Sequence, residues 1–418
     1  HSEKDLLHAL WLSRADLREA FDLSIKSGRR SFSEWFERCE MSEFTSFSQN
    51  EVVMDSSGIY PDSSRRLSYG QYQTNGVNIL GYGRGEFGIG EDVRMSKCAL
   101  SSVDIDFCVP TLPLKTSARM FDEVISGYET CYPLYNVNLV CLPHFETLRL
   151  LGATQHDLLD RRYDIGFFQW ELERFPATMR PVLDLVDEIW SFSTFTARSM
   201  SGATDKSVLQ MPVVVELHRV VEEWSRKALG IRENCFTFLT ILDGSSSISR
   251  KNPLAVIQAF KLAFPVDKSV SLVVKAMNVD ASMPAWRKVL VEISGDERIK
   301  VITETMTKAK LMALQRQCDC LVSLHRAEGF GRNIAEAMLL EKPVIVSNYS
   351  GNTDFTDDES SFLVSGDLVK IKPGEYSFGD GQYWFDADVK QASERMRECV
   401  DDHITRKLKA EYGKSVIG

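Results

Sequence analysis

Short apolar runs, each closing on glycine or a polar turn and each followed by a helical stretch, occur in two separate series along this chain, and no other feature restricts its fold as strongly. The first series opens at Gly76. VNILGYG has strand length and ends in glycines, EDVRMSKCALSS behind it has helical spacing, and VDIDFCVP is strand-like again. Strand, glycine turn, helix, strand is the opening unit of a doubly wound α/β domain. NVNLVCLP, YDIGFFQW and SVLQMPVVV continue the strands, and PVLDLVDEIW reads as a helix among them. ELHRVVEEWSRKALGI reads as a charged helix, after which CFTFLTILD, SVSLVVKAMN, IKVITETM, CDCLVSLHR, KPVIVS and SSFLVS restart the pattern. Two series with a restart over 216–234 predict two separate α/β sheets, with a cleft between the carboxyl ends of their strands as the expected ligand location.

The expected division is a helical extension over 1–70, a Rossmann-like domain over 71–216, and a second over 217–396. A terminal helix over 397–418 is expected to cross back to the first domain. A length of 418 residues suits two to three domains. The net charge of −10 argues against nucleic acid as a partner, since such binding needs a basic face. A small phosphorylated ligand stays open, because a few local cations and a helix N-terminus hold one. The nine cysteines are scattered without metal-ligand spacing and read as reduced and structural, so a cytoplasmic location is expected. No run approaches the ~18–20 apolar residues of a membrane span. Peripheral contact with the inner face of the cell membrane stays open, although no basic amphipathic segment announces it. The sequence opens on His1 rather than methionine, and a place within a larger multidomain protein is one expectation.

HRAEGFGRNIAEAM, residues 325 to 338, carries the most chemistry. It follows the apolar CLVSL and leads into a helix rich in Ala, Met and Leu. Gly329 and Gly331 let the backbone turn tightly around Phe330 and approach a ligand. The N–H groups of the first helical turn, near Arg332, Asn333 and Ile334, form an anion site favoured by the helix dipole. Glu328 stands before that turn and Glu336 inside the helix. The two carboxylates can thus take hydroxyls on opposite sides of a bound diphosphate, the order in which a nucleotide-sugar presents sugar, pyrophosphate and ribose.

Here the chain resembles glycosyltransferase family 4, the retaining group of GT-B architecture, in which two Rossmann-like domains face a cleft. The family's E-x7-E mark fits Glu328 to Glu336 without a gap. The resemblance implies that Glu328 holds the donor sugar's hydroxyls and Glu336 the ribose. DGSSSISRKNPLAVIQAFKLAFP resembles the segment after the first strand of the family's donor domain, where Lys251 matches the basic residue at the pyrophosphate and Arg250 stands beside it. Many members carry an arginine where this chain has Asp243. GYGRGEFGIGEDVR resembles the glycine-rich loop of the first domain, with Gly85, Glu86, Gly88 and Gly90 toward donor phosphate or acceptor. DIGFFQWELERFP resembles a subgroup active in bacterial surface-polysaccharide assembly and places Trp170 and Glu171 toward the acceptor. His144 follows a strand where the family often sets a histidine near the reacting sugar, and His325 lies beside the glutamate loop.

The implied reaction is transfer of a hexose from a nucleotide-sugar, with GDP-mannose as the subgroup's habit, onto a glycan or lipid-linked acceptor. No cofactor and no metal are expected. Asp104-Ile105-Asp106 and Asp386-Ala387-Asp388 have the D-x-D form of metal-dependent transferases, yet neither falls beside the glutamate loop. A dinucleotide-dependent dehydrogenase would place an acid about twenty residues after the glycines, and nothing downstream resembles a hydride-transfer site. A sugar-nucleotide-binding or scaffolding module without turnover is the alternative from another class.

Overall fold

The computed structural model describes residues 22–23, 26–31, 73–114, 116, 119–154, 158–159, 161–217 and 224–418. Apart from a short helical stretch at 26–31, the extension expected over 1–70 lies outside these residues. The chain divides into two compact units. One holds the described residues up to Gln169 with Phe175–Ser191 and Met200–Val214; the other holds Trp170–Arg174, Phe192–Ser199 and Val215–Gly418.

The first unit is built on seven strands, β1 (Gln73–Leu80), β2 (Phe107–Pro110), β3 (Glu129–Thr130), β4 (Tyr135–Val140), β5 (Tyr163–Phe168), β6 (Glu188–Ser191) and β7 (Val208–Gln210), in the order β3-β2-β1-β4-β5-β6-β7. Every pairing is parallel. Helix α1 (Gly88–Ser102) crosses from β1 to β2, α2 (His144–Thr154) follows β4, and α3 (Arg180–Leu183) precedes β6. PVLDLVDEIW is therefore not one helix. The helix stops at Leu183, and DEIWS pairs between β5 and β7 with Ile189 and Ser191 buried. Two ladders of backbone hydrogen bonds outweigh a local 3.6-residue spacing there.

Helix α4 (Thr194–Ser201) follows β6. In the second unit, six parallel strands, β8 (Phe236–Asp243), β9 (Val270–Met277), β10 (Ile299–Ile302), β11 (Cys320–Ser323), β12 (Val344–Ser347) and β13 (Phe362–Val364), run in the order β10-β9-β8-β11-β12-β13. An antiparallel hairpin, β14 (Gly366–Lys370) and β15 (Tyr383–Ala387), was not anticipated. The helices are α5 (Ile248–Lys251), α6 (Pro253–Ala263), α7 (Pro284–Ile293), α8 (Lys308–Gln317), α9 (Arg332–Leu339), α10 (Val389–Asp401) and α11 (His403–Ile417). Pro253 suits the first position of α6, where its missing N–H costs no helical bond. Alternation along β8 sends Phe238 into a core with Phe260 and Phe264, and Leu239 into a core on the other face with Leu321, Ile334 and Met338. Helix α11 lies against α9, where a side chain on Gly413 would press on Met338 and on the Ser360 carbonyl. The charged helix expected at 216–231 is a turn over 226–230, and residues 218–223 lie outside the described chain.

Candidate active site

Both sheets have the doubly wound order, so each has a switch point where successive connections leave in opposite directions and open a crevice. In the second sheet that point lies between β8 and β11. The segment after β8 runs through a 3-10 turn at Gly244–Ser246 into α5. Asp243, where a basic residue was looked for, accepts from the Ser245 N–H and from Asn278 Nδ2, both at 2.9 Å, and so caps this turn. Ser247 and Asn252, both at positive φ, bound the single turn of α5 that carries Arg250 and Lys251.

The segment after β11 is the glutamate loop, braced from two sides. Arg250 Nη1 donates to the Ala327 carbonyl at 2.7 Å, while the Arg326 N–H donates to the Arg250 carbonyl at 2.7 Å. Beyond β12, Ser350 Oγ accepts from the Glu328 N–H at 2.8 Å, and the Gly351 N–H donates to the Glu328 carbonyl at 2.9 Å. A Cβ on Gly351 would stand 2.2 Å from the Gly329 oxygen, so the two backbones touch there. The Ser350–Asn352 turn was not singled out from sequence, although SGN after an apolar run is a turn signal.

Glu328, Lys251 and Arg250 meet. Lys251 Nζ lies 2.5 Å from Glu328 Oε1, and Arg250 Nη1 lies 3.3 Å from Oε2. Burial alone would raise the Glu328 carboxyl, but Lys251 and Arg250 outweigh it and hold the group well below the ordinary carboxylate range. Arg250 is only 1% exposed and also donates to the Ser246 carbonyl. Its Nε lies 3.0 Å from Glu171, which in turn accepts from the Tyr376 hydroxyl. Burial opposes charge on Arg250, while Glu171 and Glu328 stabilise it and keep the guanidinium protonated. Neither Glu171 as the partner of Arg250 nor Tyr376 was read from sequence, since contacts across such separations leave no local pattern.

His325 sits beneath the loop, fully buried. Its Nδ1 pairs with Ser323 Oγ at 3.0 Å and its Nε2 with Asn352 Oδ1 at 2.9 Å. Asn352 spends its amide N–H groups on Ser347 and Thr356, so its oxygen accepts and His325 donates from Nε2. Burial lowers the imidazole pKa and favours this neutral tautomer. Phe330 packs on Phe355 with centroids 4.8 Å apart. Gly331, at φ +100°, caps α9, whose ladder begins with Ile334 and Ala335 donating to its carbonyl; the N–H groups ahead of that ladder belong to Arg332 and Asn333. Glu336, one turn further on, is held by Lys308 Nζ and by Gln315 Nε2, the latter at 3.1 Å. Trp170 is buried and donates from Nε1 to the Arg174 carbonyl. Of the two D-x-D sequences, Asp386 is paired with Arg326 and Asp388 caps α10, while Asp104 and Asp106 are exposed in the turn before β2.

In the first sheet the switch point lies between β1 and β4. The glycine-rich turn follows β1, pinned by Arg94, whose Nη1 donates to the carbonyls of Gly83 at 2.9 Å and Gly85 at 2.7 Å. Gly90 is required because its Cβ would stand 2.1 Å from the Gly85 oxygen, whereas Gly88 has open space around it. Glu86 pairs with Arg119 at 2.7 Å. Tyr82 in the turn donates to Glu146 of α2. His144, at the start of α2, is buried edge-on against Phe168 and Phe175, and burial pushes its pKa down to about 4.

Residues 238–372, from β8 to just past β14, match the family described as Glycosyl transferases group 1. Fold and family match together support the GT-B glycosyltransferase superfamily. The chain is similar to the crystal structure of Anabaena HepE in complex with UDP and glucose, at 15% identity and a TM-score of 0.56, over 82% of this chain and 95% of that one. It is also similar to sucrose-phosphate synthase from Thermosynechococcus elongatus, at 13% identity and a TM-score of 0.57, over 82% and 94% of the two chains. A third likeness, to trehalose-6-phosphate from E. coli bound with UDP-2-fluoro glucose, has 10% identity and a TM-score of 0.51, over 67% and 69%. These likenesses establish the two-domain GT-B architecture with Rossmann-like sheets. Among the described residues, no helix is long and apolar enough to cross a membrane.

Proposed function

We propose that this protein is a retaining, metal-independent glycosyltransferase of family 4 that moves a sugar from a nucleotide-sugar onto a glycan or lipid-linked acceptor. The observation that carries the reading is the meeting of Lys251, Arg250 and Glu328 at the switch point of the second sheet, one loop ahead of the amino end of α9. In the proposed reaction the bond between the anomeric carbon and the β-phosphate oxygen breaks. Lys251 and the amino end of α9 stabilise the charge that grows on the departing diphosphate, and Arg250 reinforces it from beneath the loop. Glu328, kept ionised by its two cations, accepts hydrogen bonds from the donor sugar's hydroxyls, and Glu336 accepts from the ribose. The departing phosphate takes the acceptor's proton on the same face, which retains the anomeric configuration. The first unit, with its glycine-rich turn (Gly85, Glu86, Gly88, Gly90) and His144, is assigned to the acceptor, and the setting to polysaccharide assembly at the cytoplasmic face of the membrane.

UDP-glucose is the first donor to test, because structures of similar fold hold UDP or a UDP-sugar; GDP-mannose is the second. Release of UDP or GDP, through transfer or slow hydrolysis, is expected to persist in excess EDTA and to fall at least ~100-fold in Glu328→Ala, the scale on which one electrostatic contact to a reacting group acts. Near-normal turnover in a folded Glu328→Ala protein removes the assignment.

A further inference from the structure

Glu336 is 1% exposed and sits inside a helix, a place where an ionised carboxylate needs partners to persist. Both partners come from one helix. Lys308 opens α8 and Gln315 lies seven residues later, two turns on and therefore on the same face. Lys308 Nζ holds Oε1 and Gln315 Nε2 donates to Oε2 at 3.1 Å. Gln315 is itself 2% exposed, its Oε1 accepts no hydrogen bond, and the residue lines a small cavity with Cys318, Leu321, Ala337 and Lys342. The amide orientation follows from chemistry, because only an N–H edge can face a carboxylate.

We propose that Lys308 and Gln315 are positioning residues that aim the Glu336 carboxylate at the ribose diol, and that this clamp sets the protein's preference for ribonucleotides over deoxyribonucleotides. The inference rests on the donor-site reading above. A carboxylate offers about four lone-pair directions. With one on each oxygen taken by α8, one on each is left for two adjacent hydroxyls. Without Gln315 the carboxylate can turn about its terminal torsion, which is broad and roughly two-fold, and the paired geometry is lost. Lys308 sets its ammonium against one oxygen of the carboxylate.

The test is the affinity of the whole chain for UDP, GDP and their 2′,3′-dideoxy counterparts by calorimetry. Wild type is expected to bind the ribonucleotide more tightly than its dideoxy partner. Gln315→Met, which keeps the volume, is expected to weaken the ribonucleotide about tenfold, as loss of a hydrogen bond to a charged group does, and to leave dideoxynucleotide binding unchanged, so that the preference collapses. Lys308→Met, at a more exposed position, is expected to do the same and covers the case in which Gln315→Met fails to fold. A folded variant that weakens both nucleotides equally, or neither, overturns the clamp while leaving the donor site standing. A wild-type chain that binds none of the four removes the donor site and the clamp together.

Discussion

Arg250 and Lys251 already carry two carboxylates, Glu171 and Glu328, before any ligand arrives. In the proposed donor site Glu328 serves the donor sugar, whereas Glu171 pairs with the guanidinium that a diphosphate oxygen would otherwise approach. Two like charges cannot share one cation in a poorly solvated site without cost. Glu171→Gln is therefore expected to tighten binding of nucleoside diphosphate by about threefold or more, opposite in sign to the loss that removal of an ordinary site residue gives. Weaker or unchanged binding in titration calorimetry contradicts this role. The glutamate pair and the Arg250-Lys251 dipeptide were legible from sequence because each lies within one loop. The Glu171–Arg250 and Lys308–Glu336 pairs were not, since only the folded sheet brings their elements together.

At the level of elements, the first sheet is tied by a buried polar row across its central strands. Asn78 Nδ2 of β1 donates to Asn138 Oδ1 of β4 at 2.8 Å, and Asn138 Nδ2 donates to Asp164 of β5 at 2.7 Å. Each link joins residues paired in the parallel register, so the row pins β1, β4 and β5 against slippage. Burial raises the Asp164 carboxyl to about 7, outweighing its bond from Asn138. An unfolded aspartate titrates near about 3.9. The folded state therefore binds the extra proton between these values, and stability is lost as pH rises through that window. Asp164→Asn keeps the accepting oxygen and removes the titration. Its melting temperature relative to wild type is expected to rise between pH 4 and pH 8, by about 3 °C or more given ~2–4 °C per kcal/mol for a domain of this size. A pH-independent difference contradicts it. His144, whose lowered pKa makes neutral burial costlier as pH falls from about 6.5 to 4, shifts both proteins equally and cancels from the comparison. The strand runs of β1, β4, β5, β8 and β9 were readable because parallel strands covered on both faces are largely apolar, with few polar interruptions. Strand β6 was hidden by helical spacing, and the β14–β15 hairpin by the connection over 371–382, which is longer than the short turns that signal a hairpin in sequence.

For the whole molecule, two doubly wound sheets were expected from the two strand series, and two are present. The family match covers β8 to the start of the β14–β15 hairpin, so the second unit carries the firmer functional argument. The first unit, to which the acceptor is assigned in the proposed function, has no sequence signature beyond a glycine-rich turn, and the acceptor's identity was not legible. The central claim is that a diphosphate is held where Lys251 faces Glu328 near the amino end of α9. Its most direct test is the dissociation constant of UDP and GDP measured side by side for wild type and Lys251→Ala. Loss of one charge-assisted contact is expected to weaken the preferred nucleotide about tenfold or more, and the unliganded protein is expected to melt lower as well, because the buried Glu328 loses one of its two cations. Unchanged nucleotide affinity in a folded Lys251→Ala protein would place the phosphate elsewhere and contradict the account.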